Sequence, residues 1–299
     1  MWHTRRGPGI LDVALIIAIG AAIFWLAVRV FVTLDYNWKW DLIPRYLFRF
    51  DEVSGSWKSN YLVHGLVTTI RLSLWSGILA LTIGLMIALG RCGRRLYFRL
   101  MAVSYIELLR NLPPLVIIFL FYFFLADQVI PLLDLDGRAS NLRGWPAWLC
   151  TLCFGREGSL SAFLSAVLTL AFFEGAYFAE ILRAGIESVE RGQWEAAHAL
   201  GLSRGQSLRH IILPQAFRRT LPPLAGQFIS LIKDSAIVSV ISIQDLTYQG
   251  TQLMASTYQT IEVWLTIALM YLLLTFPCSL LVRALETRYG NGQQPSASQ

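Results

Sequence analysis

Residues 195–215 read EAAHALGLSRGQSLRHIILPQ, and this polar, patterned stretch interrupts a chain that is otherwise strongly apolar. Apolar residues recur at helical spacing before Gly201, and glycine favours the left-handed backbone that ends a helix. Ser203, with Gln206 three residues later, has the pattern of a capping box that starts a second helix, which we expect to end at Pro214. The sequence therefore predicts two short helices joined by a tight turn.

The composition around this stretch is that of a membrane protein. The chain has 299 residues, of which 55% are hydrophobic and 15% are charged, whereas a soluble domain carries about 25% charged residues. The net charge of +6 could suggest nucleic acid as a partner. Basic residues that collect at the cytoplasmic ends of membrane helices explain it better, so we expect no nucleic-acid binding.

Six apolar stretches are long enough to cross a bilayer, whose core needs roughly 20 apolar residues per helix. They lie at 10–34, 72–90, 103–126, 160–183, 215–243 and 261–283. Basic residues concentrate in alternate connecting segments, beginning with Arg5 and Arg6, so the positive-inside rule places the N-terminus and residues 195–215 in the cytoplasm. The prediction is an all-α integral membrane protein.

The predicted spans divide the chain into three parts. We expect an N-terminal anchor helix and external loop over 1–59, a membrane domain over 60–288, and a disordered polar tail over 289–299. Small residues recur every fourth position and predict close helix contacts: Ala80, Gly84, Ala88, Ala171, Gly175 and Ala179. The external loop 127–159 holds Cys150 and Cys153, for which a disulfide and no role at all both stay open.

Two physical interpretations of the cytoplasmic element at about 186–214 compete. It could be an amphipathic helix pair that lies in the lipid headgroups, or a docking element whose apolar residues enter a groove on a soluble partner. Its first helix has one apolar face, which we expect to be exposed unless something covers it: Ile186, Val189, Trp194, Ala197 and Leu200. Physical reasoning alone leaves both interpretations open.

The spacing of particular residues favours docking. Residues 195–214 contain a spaced pattern: Glu195-Ala196-Ala197, then Gly201 after three residues, Ile211 after nine more, and Leu213-Pro214 after one more. This pattern resembles the coupling-loop signature of permease subunits in binding-protein-dependent ATP-binding-cassette (ABC) importers. Four other stretches are similar to the polar amino acid branch of that family: GLVTTIRLSLWS (65–76), YIELLRNLPPLV (105–116), GAYFAEILRAGIESVERGQWEAA (175–197) and LIKDSAIVSVI (231–241). The resemblance covers about 60–288, although Asn111 and Leu112 stand where Gly-Thr is usual.

The resemblance implies a five-helix type I importer core that follows the anchor helix, in the bacterial inner membrane. It also implies that 186–214 enters a cleft on an ATP-hydrolysing subunit, where Glu195 makes polar contacts, Ala196 and Ala197 allow close approach, and Gly201 makes the turn. The implied partners are an ATPase dimer, a second permease subunit of the same or a related kind, a periplasmic solute-binding protein, membrane lipid and an amino acid that is imported by alternating access.

The chain contains no Walker A pattern, G-x-x-x-x-G-K-[ST], that could hold nucleotide phosphates. We therefore expect ATP and magnesium to bind a separate ATPase polypeptide. This chain itself is predicted to bind no cofactor or metal and to be a transport subunit, not an enzyme.

Polar residues inside the spans are candidates for the transport path, because ionisable groups are expensive in lipid. Gln227, Ser230 and Asp234 share a face of the fifth span, after Pro222-Pro223, which we expect to break that helix. Asp234 could contact the ammonium of the cargo, or simply pair with Lys233 or with another helix. Glu174, in the middle of the fourth span, could line the same path.

Two further charged groups lie towards the helix ends. Glu180 and Arg183 are three residues apart and favour a structural ion pair. Glu107 and Arg110 share a face with Asn111, where gating, pairing between subunits and snorkelling to the interface all stay open.

Other classes of protein fit less well. A secondary transporter would need no 195–214 pattern, and a membrane-embedded enzyme would need a tight acid/base or metal constellation, which the sequence lacks. Within the importer class, an opine, a dipeptide, a metal chelate or another amino acid derivative remains an alternative cargo.

Overall fold

The computed structural model describes residues 9–33, 36, 38–53, 55–93, 95–130, 132, 134–155 and 160–289. The chain divides into two compact units, residues 1–40 and 41–299. The first unit contains α1, Ile10–Thr33, whose described side chains are exposed and include the Trp25 ring, with the Arg29 guanidinium 5.5 Å from its centre. The predicted span at 10–34 is therefore helical, while the predicted tail falls almost wholly on 290–299, outside the described residues.

The segment before the first core span has structure of its own, although the sequence suggested only a loop. A 3-10 turn at Trp40–Leu42 leads into α2, Ile43–Leu47, and an antiparallel hairpin follows with β1, Phe48–Asp51, paired to β2, Ser56–Ser59. Asn60 donates from its backbone N–H to Leu47 O (2.9 Å) and from its side chain to Arg45 O (2.7 Å). These bonds fix α2 against the helix that starts at the next residue.

Within the described residues, four helical runs are long and apolar enough to cross a membrane. They are α3, Tyr61–Cys92; α9, Leu160–Glu187; the run Arg204–Ile241; and Thr260–Ala284, which belongs to α14, Thr260–Tyr289. A fifth crossing is formed by α4, Leu96–Asn111, and α5, Pro114–Leu120, if they count as one span. These five occupy the positions of the five predicted core helices.

The third predicted span is bent, whereas its apolar composition predicted one straight crossing. The two apolar stretches Leu96–Asn111 and Pro114–Phe124 meet at 117°. The bend follows from Pro113 and Pro114, because proline disfavours a helical backbone at the residue before it and lacks an N–H donor. After α5 the chain continues as a π-helical segment, Phe121–Ala126, and a short α6, Asp127–Val129.

The pair α3 and α9 forms the centre of the core through the predicted small residues. Ala80, Ala88, Ala171 and Ala179 are fully buried. A Cβ on Gly84 would lie 2.7 Å from Phe178 Cβ and 2.9 Å from Ala179 N, closer than atoms can pack. The two backbones therefore approach so closely that glycine is required at position 84.

The segment between the bent span and α9 carries two more helices, α7, Leu135–Ser140, and α8, Trp145–Phe154. The Trp75 indole N–H of α3 donates to Cys153 O (3.1 Å), and its ring stacks on Phe154. Cys150 and Cys153 are both free thiols, so the predicted disulfide alternative is not formed.

Two expectations about proline were wrong. The short α11, Arg204–Ser207, passes through a π-helical turn, Leu208–Ile212, directly into α12, Leu213–Asp234, so the helix does not end at Pro214. Pro214 is the second residue of α12 and directly follows the π-helical turn, in which Leu213 N–H donates to Leu208 O. Pro222 and Pro223 lie inside α12, which continues past both and passes into a 3-10 segment, Ser235–Ile241.

A last short helix separates this run from α14. It is α13, Leu246–Thr257, and it is capped by Asp245, whose Oδ1 accepts the Tyr248 N–H at 2.8 Å. Asp245 is fully buried, and burial raises the pKa of its carboxyl group to about 7.

Candidate functional site

The turn of the element at 186–214 has the predicted geometry. Its first helix, α10, spans Arg191–Ala199, and Gly201 follows with φ of 73°, a left-handed conformation. Gly201 N–H donates to His198 O and Leu202 N–H to Ala197 O, which is the hydrogen-bond pattern of a Schellman motif. Both bonds of the Ser203–Gln206 capping box are present. This part of the prediction is confirmed.

The burial of the element differs from the expectation of an exposed apolar face. Ile186, Val189 and Ala197 are buried, and the first two form a cluster with Ile212 and Ala216 of the following helical run. Leu89 and Cys92, from the end of α3, pack on the same cluster with Trp194, Leu208, Ile211 and Leu213. The apolar face is covered by the chain itself.

The signature residues of the element differ in whether they face outward. Glu195, Ala196, Gly201 and Pro214 are exposed, whereas Ala197 is buried and Ile211 and Leu213 are half-buried. Leu200, which is 76% exposed, projects from the turn as the one predicted apolar-face residue that stays uncovered. The seven signature residues thus divide into an outward set and a set that anchors the element.

Hydrogen bonds tie the element to the ends of the membrane helices. Arg204 Nη2 donates to Cys92 O at the end of α3 (2.9 Å), and its guanidinium carbon lies 5.8 Å from the centre of the Trp194 ring. Arg219 of α12 donates to Ser188 O, just after α9. These contacts join the ends of three helices, so the element cannot move independently of them.

A second polar group lies in the middle of the membrane domain, between α9 and α12. Glu174 is fully buried, and its Oε2 accepts a hydrogen bond from Gln227 Nε2 at 2.9 Å. Its Oε1 has no hydrogen-bond partner among the described residues. Asp234 interacts electrostatically with Glu174 and is half-buried, so two acidic side chains and one amide converge from two helices.

The structure thus brings together three of the four residues predicted for the transport path. Ser230, the fourth, is half-buried on the same helix as Gln227 and Asp234 and takes part in no side-chain hydrogen bond among those described. Asp234 forms no ion pair with Lys233 within the described part of the chain, although the Lys233 charge acts on it electrostatically. The carboxyl group faces Glu174 instead.

The predicted gating residues lie near this cluster at the end of α4. Asn111 Nδ2 donates to Glu107 Oε2 at 3.1 Å. The Arg110 guanidinium lies 5.7 Å from the centre of the Tyr177 ring, and Tyr177 is one helical turn from Glu174. Arg110 therefore contacts the helix that carries the acidic cluster, while its role in gating stays a prediction.

The predicted ion pair on α9 is confirmed and is part of a larger network. Glu180 accepts hydrogen bonds from Arg183 Nε (3.2 Å) and from Arg91 Nη1 of α3 (2.8 Å), and Arg183 also pairs with Glu187. This network joins α3 to α9 just before the element at 186–214 begins. Sequence reasoning missed Arg91 and Arg204 because their partners are far away along the chain.

Comparisons with known proteins agree with this geometry. Residues 80–291 match the family model described as "Binding-protein-dependent transport system inner membrane component". The glutamine transport system permease protein GlnP of Escherichia coli K12 is 34% identical over 75% of this chain and 92% of its own length. The probable glutamine ABC transporter permease protein GlnM of Bacillus subtilis is 37% identical over 63% of this chain and 74% of its own length.

A solved structure is also similar, and its description reads "Crystal structure of an amino acid ABC transporter with histidines". It superposes with a TM-score of 0.64 and 31% identity, and the alignment covers 85% of this chain and 100% of that chain. The methionine transporter MetNI, in an inward-facing form, matches at 17% identity with a TM-score of 0.52, which supports the fold alone. The fold is that of a type I ABC importer permease, and the chain belongs to the family of binding-protein-dependent transport system inner membrane components.

Proposed function

We propose that this chain is the permease subunit of an ATP-driven importer for a polar amino acid, and that Glu174, Gln227 and Asp234 hold the cargo during its passage. The relatives are named as permeases for glutamine, for glutamate and aspartate, and for cystine, which supports amino acid as the cargo class. The single observation that carries the cargo site is that the fully buried Glu174 lies beside Asp234 and that its Oε1 has no hydrogen-bond donor among the described residues.

A buried carboxyl oxygen without a partner is costly, because desolvation is not offset by a hydrogen bond. The polar partner that such a site lacks is a donor, and a cation fits best beside a second acidic side chain. The ammonium group common to amino acids supplies both charge and hydrogen-bond donors. The Gln227 amide, already bound to Glu174 through its nitrogen, has its oxygen left as an acceptor for the same ligand.

The geometry of the element at 186–214 is evidence for docking to an ATPase on a separate polypeptide. We propose that two separate ATPase subunits bind ATP and magnesium. They contact Leu200 beside the Gly201 turn and Glu195 and Ala196 on α10, all of which are exposed. Because the remaining apolar residues of the element are packed inside the chain, little apolar surface is left for burial in lipid headgroups. Docking is therefore favoured over the amphipathic alternative.

The complete assembly that we propose contains a second permease subunit and a periplasmic solute-binding protein, with the N-terminus of this chain in the cytoplasm. The orientation rests on the charge of the connecting segments and on the position of the cytoplasmic element at the end of α9. Alternating access then switches the exposure of the acidic cluster from one side of the membrane to the other.

The experiment is ATP-dependent uptake into proteoliposomes that contain the permease with its ATPase and binding protein, tested with a panel of amino acids and an opine. We expect uptake of at least one polar amino acid, and none without the ATPase. Asp234→Asn should reduce that uptake about tenfold, as expected for one lost charge-assisted contact, while basal ATP hydrolysis changes little.

Asp41→Asn is the matched control, because Asp41 is exposed and belongs to the segment that precedes the first core span. It should transport at the wild-type rate. Uptake without the ATPase would support a secondary transporter and contradict the proposal. Unchanged uptake in Asp234→Asn would exclude this residue from the cargo site.

A further inference from the structure

An open cleft of about 560 Å³ lies between α2 and the hairpin, in the segment that precedes the first core span. Arg45 and Arg49 both line it, with the aromatic side chains of Phe50, Trp57 and Tyr61. The Phe50 and Trp57 rings meet edge to face with their centres 5.5 Å apart. The family model begins at residue 80, so this cleft is outside the part of the chain that the family defines.

The charge of the cleft is unbalanced. Its lining includes two arginines and no acidic residue. Asp51, on the same hairpin, pairs with Lys58, and neither Arg45 nor Arg49 forms an ion pair within the described residues. Two exposed guanidinium groups beside apolar rings therefore lack an anion.

The cleft is also fixed to the membrane domain. Ile43 of α2 is buried in one cluster with Leu62 of α3 and Leu246, and Tyr46 packs on that cluster. Tyr61, which lines the cleft, is the first residue of the membrane-crossing α3. The other end of α3, at Cys92, contacts the cytoplasmic element through Arg204. The cleft consequently lies at the level where α3 leaves the bilayer on the opposite, external side.

From this placement we infer that the cleft binds the headgroup of an anionic phospholipid of the outer leaflet of the membrane. The phosphate accepts hydrogen bonds from Arg45 and Arg49, since guanidinium groups recognise phosphate by charge-assisted, forked contacts. Tryptophan, tyrosine and phenylalanine rings suit the headgroup level, where one edge meets hydrocarbon and the other meets water. A free anion in solution would use the arginines but would leave the aromatic rings without a partner.

The test is native mass spectrometry of the purified full-length chain, titrated with phosphatidylglycerol and, separately, with phosphatidylcholine. We expect wild type to retain phosphatidylglycerol preferentially, and Arg45→Ala/Arg49→Ala to lower its apparent affinity on the order of tenfold, since each basic residue near a membrane contributes to anionic lipid attraction. Arg138→Ala/Arg143→Ala is the matched control: it removes two exposed arginines from the other external segment and should change the affinity less than about twofold. Where the alanine variant melts early, Arg45→Gln/Arg49→Gln replaces it.

Each contrary outcome is distinct. Equal retention of phosphatidylglycerol by the Arg45/Arg49 variant and wild type, or equal losses in both double variants, would overturn the inference. So would displacement of the lipid by millimolar inorganic phosphate, which would make the cleft a site for a soluble anion. Loss of binding-protein docking with lipid retention unchanged would identify the cleft as a protein contact instead. None of these readouts depends on the cargo.

Discussion

The element at 186–214 and the acidic cluster are both polar interruptions of an apolar chain, but they differ in how completely the chain satisfies their hydrogen-bonding groups. In the element, the turn at Gly201, the capping box and the Arg204 contact with Cys92 O are all closed within this chain. In the cluster, Glu174 has one oxygen without a hydrogen-bond partner among the described residues. Under the proposed function, the element that would dock the ATPase is fully bonded in advance, whereas the site that would receive the cargo is left with an open acceptor.

The largest expected effect comes from the helix contact that both regions share. Gly84→Ala should lower the free energy of unfolding by about 1–3 kcal/mol, because the new Cβ would overlap Phe178 and the Ala179 backbone. Gly90→Ala is the matched control, since its Cβ would find no atom closer than 3.7 Å. Thermal unfolding in detergent measures both variants, and equal melting temperatures would show that the α3–α9 contact is looser than described.

The second prediction isolates the acidic cluster. Glu174→Gln keeps the shape of the side chain but removes its negative charge, so we expect cargo uptake to fall about tenfold or more through the loss of a charged hydrogen bond. Basal ATP hydrolysis by the assembled transporter should stay within about twofold of wild type. Glu286→Gln, at an exposed position near the end of α14, is the control and should not alter uptake. Parallel loss of hydrolysis and uptake would mean that the cluster affects ATPase coupling through the element at 186–214.

The third prediction concerns the Gly201 turn, where the expected change is in ATP hydrolysis and not in the cargo site. Gly201→Val places a β-branched residue at φ of 73°, which costs on the order of 1 kcal/mol or more. We expect the variant to insert normally but to lose stimulation of ATP hydrolysis by the loaded binding protein. Gly205→Ala, in a helix with open space around it, is the control. Wild-type stimulation in Gly201→Val would exclude the turn from the docking surface.

A smaller effect should follow from weakening the contact between the element and α3 without changing the Gly201 turn. Arg204→Ala removes the hydrogen bond to Cys92 O and the contact with the Trp194 ring, together about 1–2 kcal/mol. We expect basal hydrolysis to persist while the number of ATP molecules hydrolysed per cargo molecule rises. Arg209→Ala, an exposed arginine of the same element, should leave this ratio unchanged. An identical ratio in both variants would show that the bond to α3 is dispensable.

The smallest effect concerns Asp245, a buried carboxyl group that caps a helix and whose Oδ2 has no hydrogen-bond partner among the described residues. Burial raises its pKa from 3.8 to about 7, so the folded state binds more protons than the unfolded state between these values. Stability should therefore decline as pH rises from about 4 to about 7 and level off above.

Asp245→Asn keeps an oxygen for the Tyr248 N–H but cannot ionise, so it should flatten this part of the stability curve. Melting temperatures at a series of pH values measure the slope, and uptake should stay near the wild-type rate. A loss of uptake as large as that of Glu174→Gln would show that an unpaired oxygen alone does not distinguish a cargo site.

The sequence predicted local features well because their causes are local. The left-handed Gly201 and the Ser203–Gln206 box depend on residues within a few positions of each other, and both were confirmed. The small-residue stripes were also confirmed, since close helix approach selects for them directly. The positions of the five core spans followed from their length and apolar composition.

What the sequence could not show depends on distant partners. The apolar face of α10 was expected to be open, but Leu89 and Cys92, about a hundred residues earlier, contribute to the cluster that covers it. Glu174 and Gln227 were each predicted, yet their pairing depends on the register between two helices. Pro222 and Pro223 carry a local signal to break α12, and the continuous helix shows that tertiary packing can override it.

The helix α9 carries Glu174 near its middle and ends at Glu187, where the cytoplasmic element starts. At 1.5 Å per residue, these two positions are separated by about 20 Å along one uninterrupted rod. Under the proposed function, a single rigid helix would connect the cargo site at one end to the ATPase-docking element at the other. A flexible hinge inserted between Tyr177 and Glu180 should preserve cargo binding and ATP hydrolysis but should abolish the coupling between them.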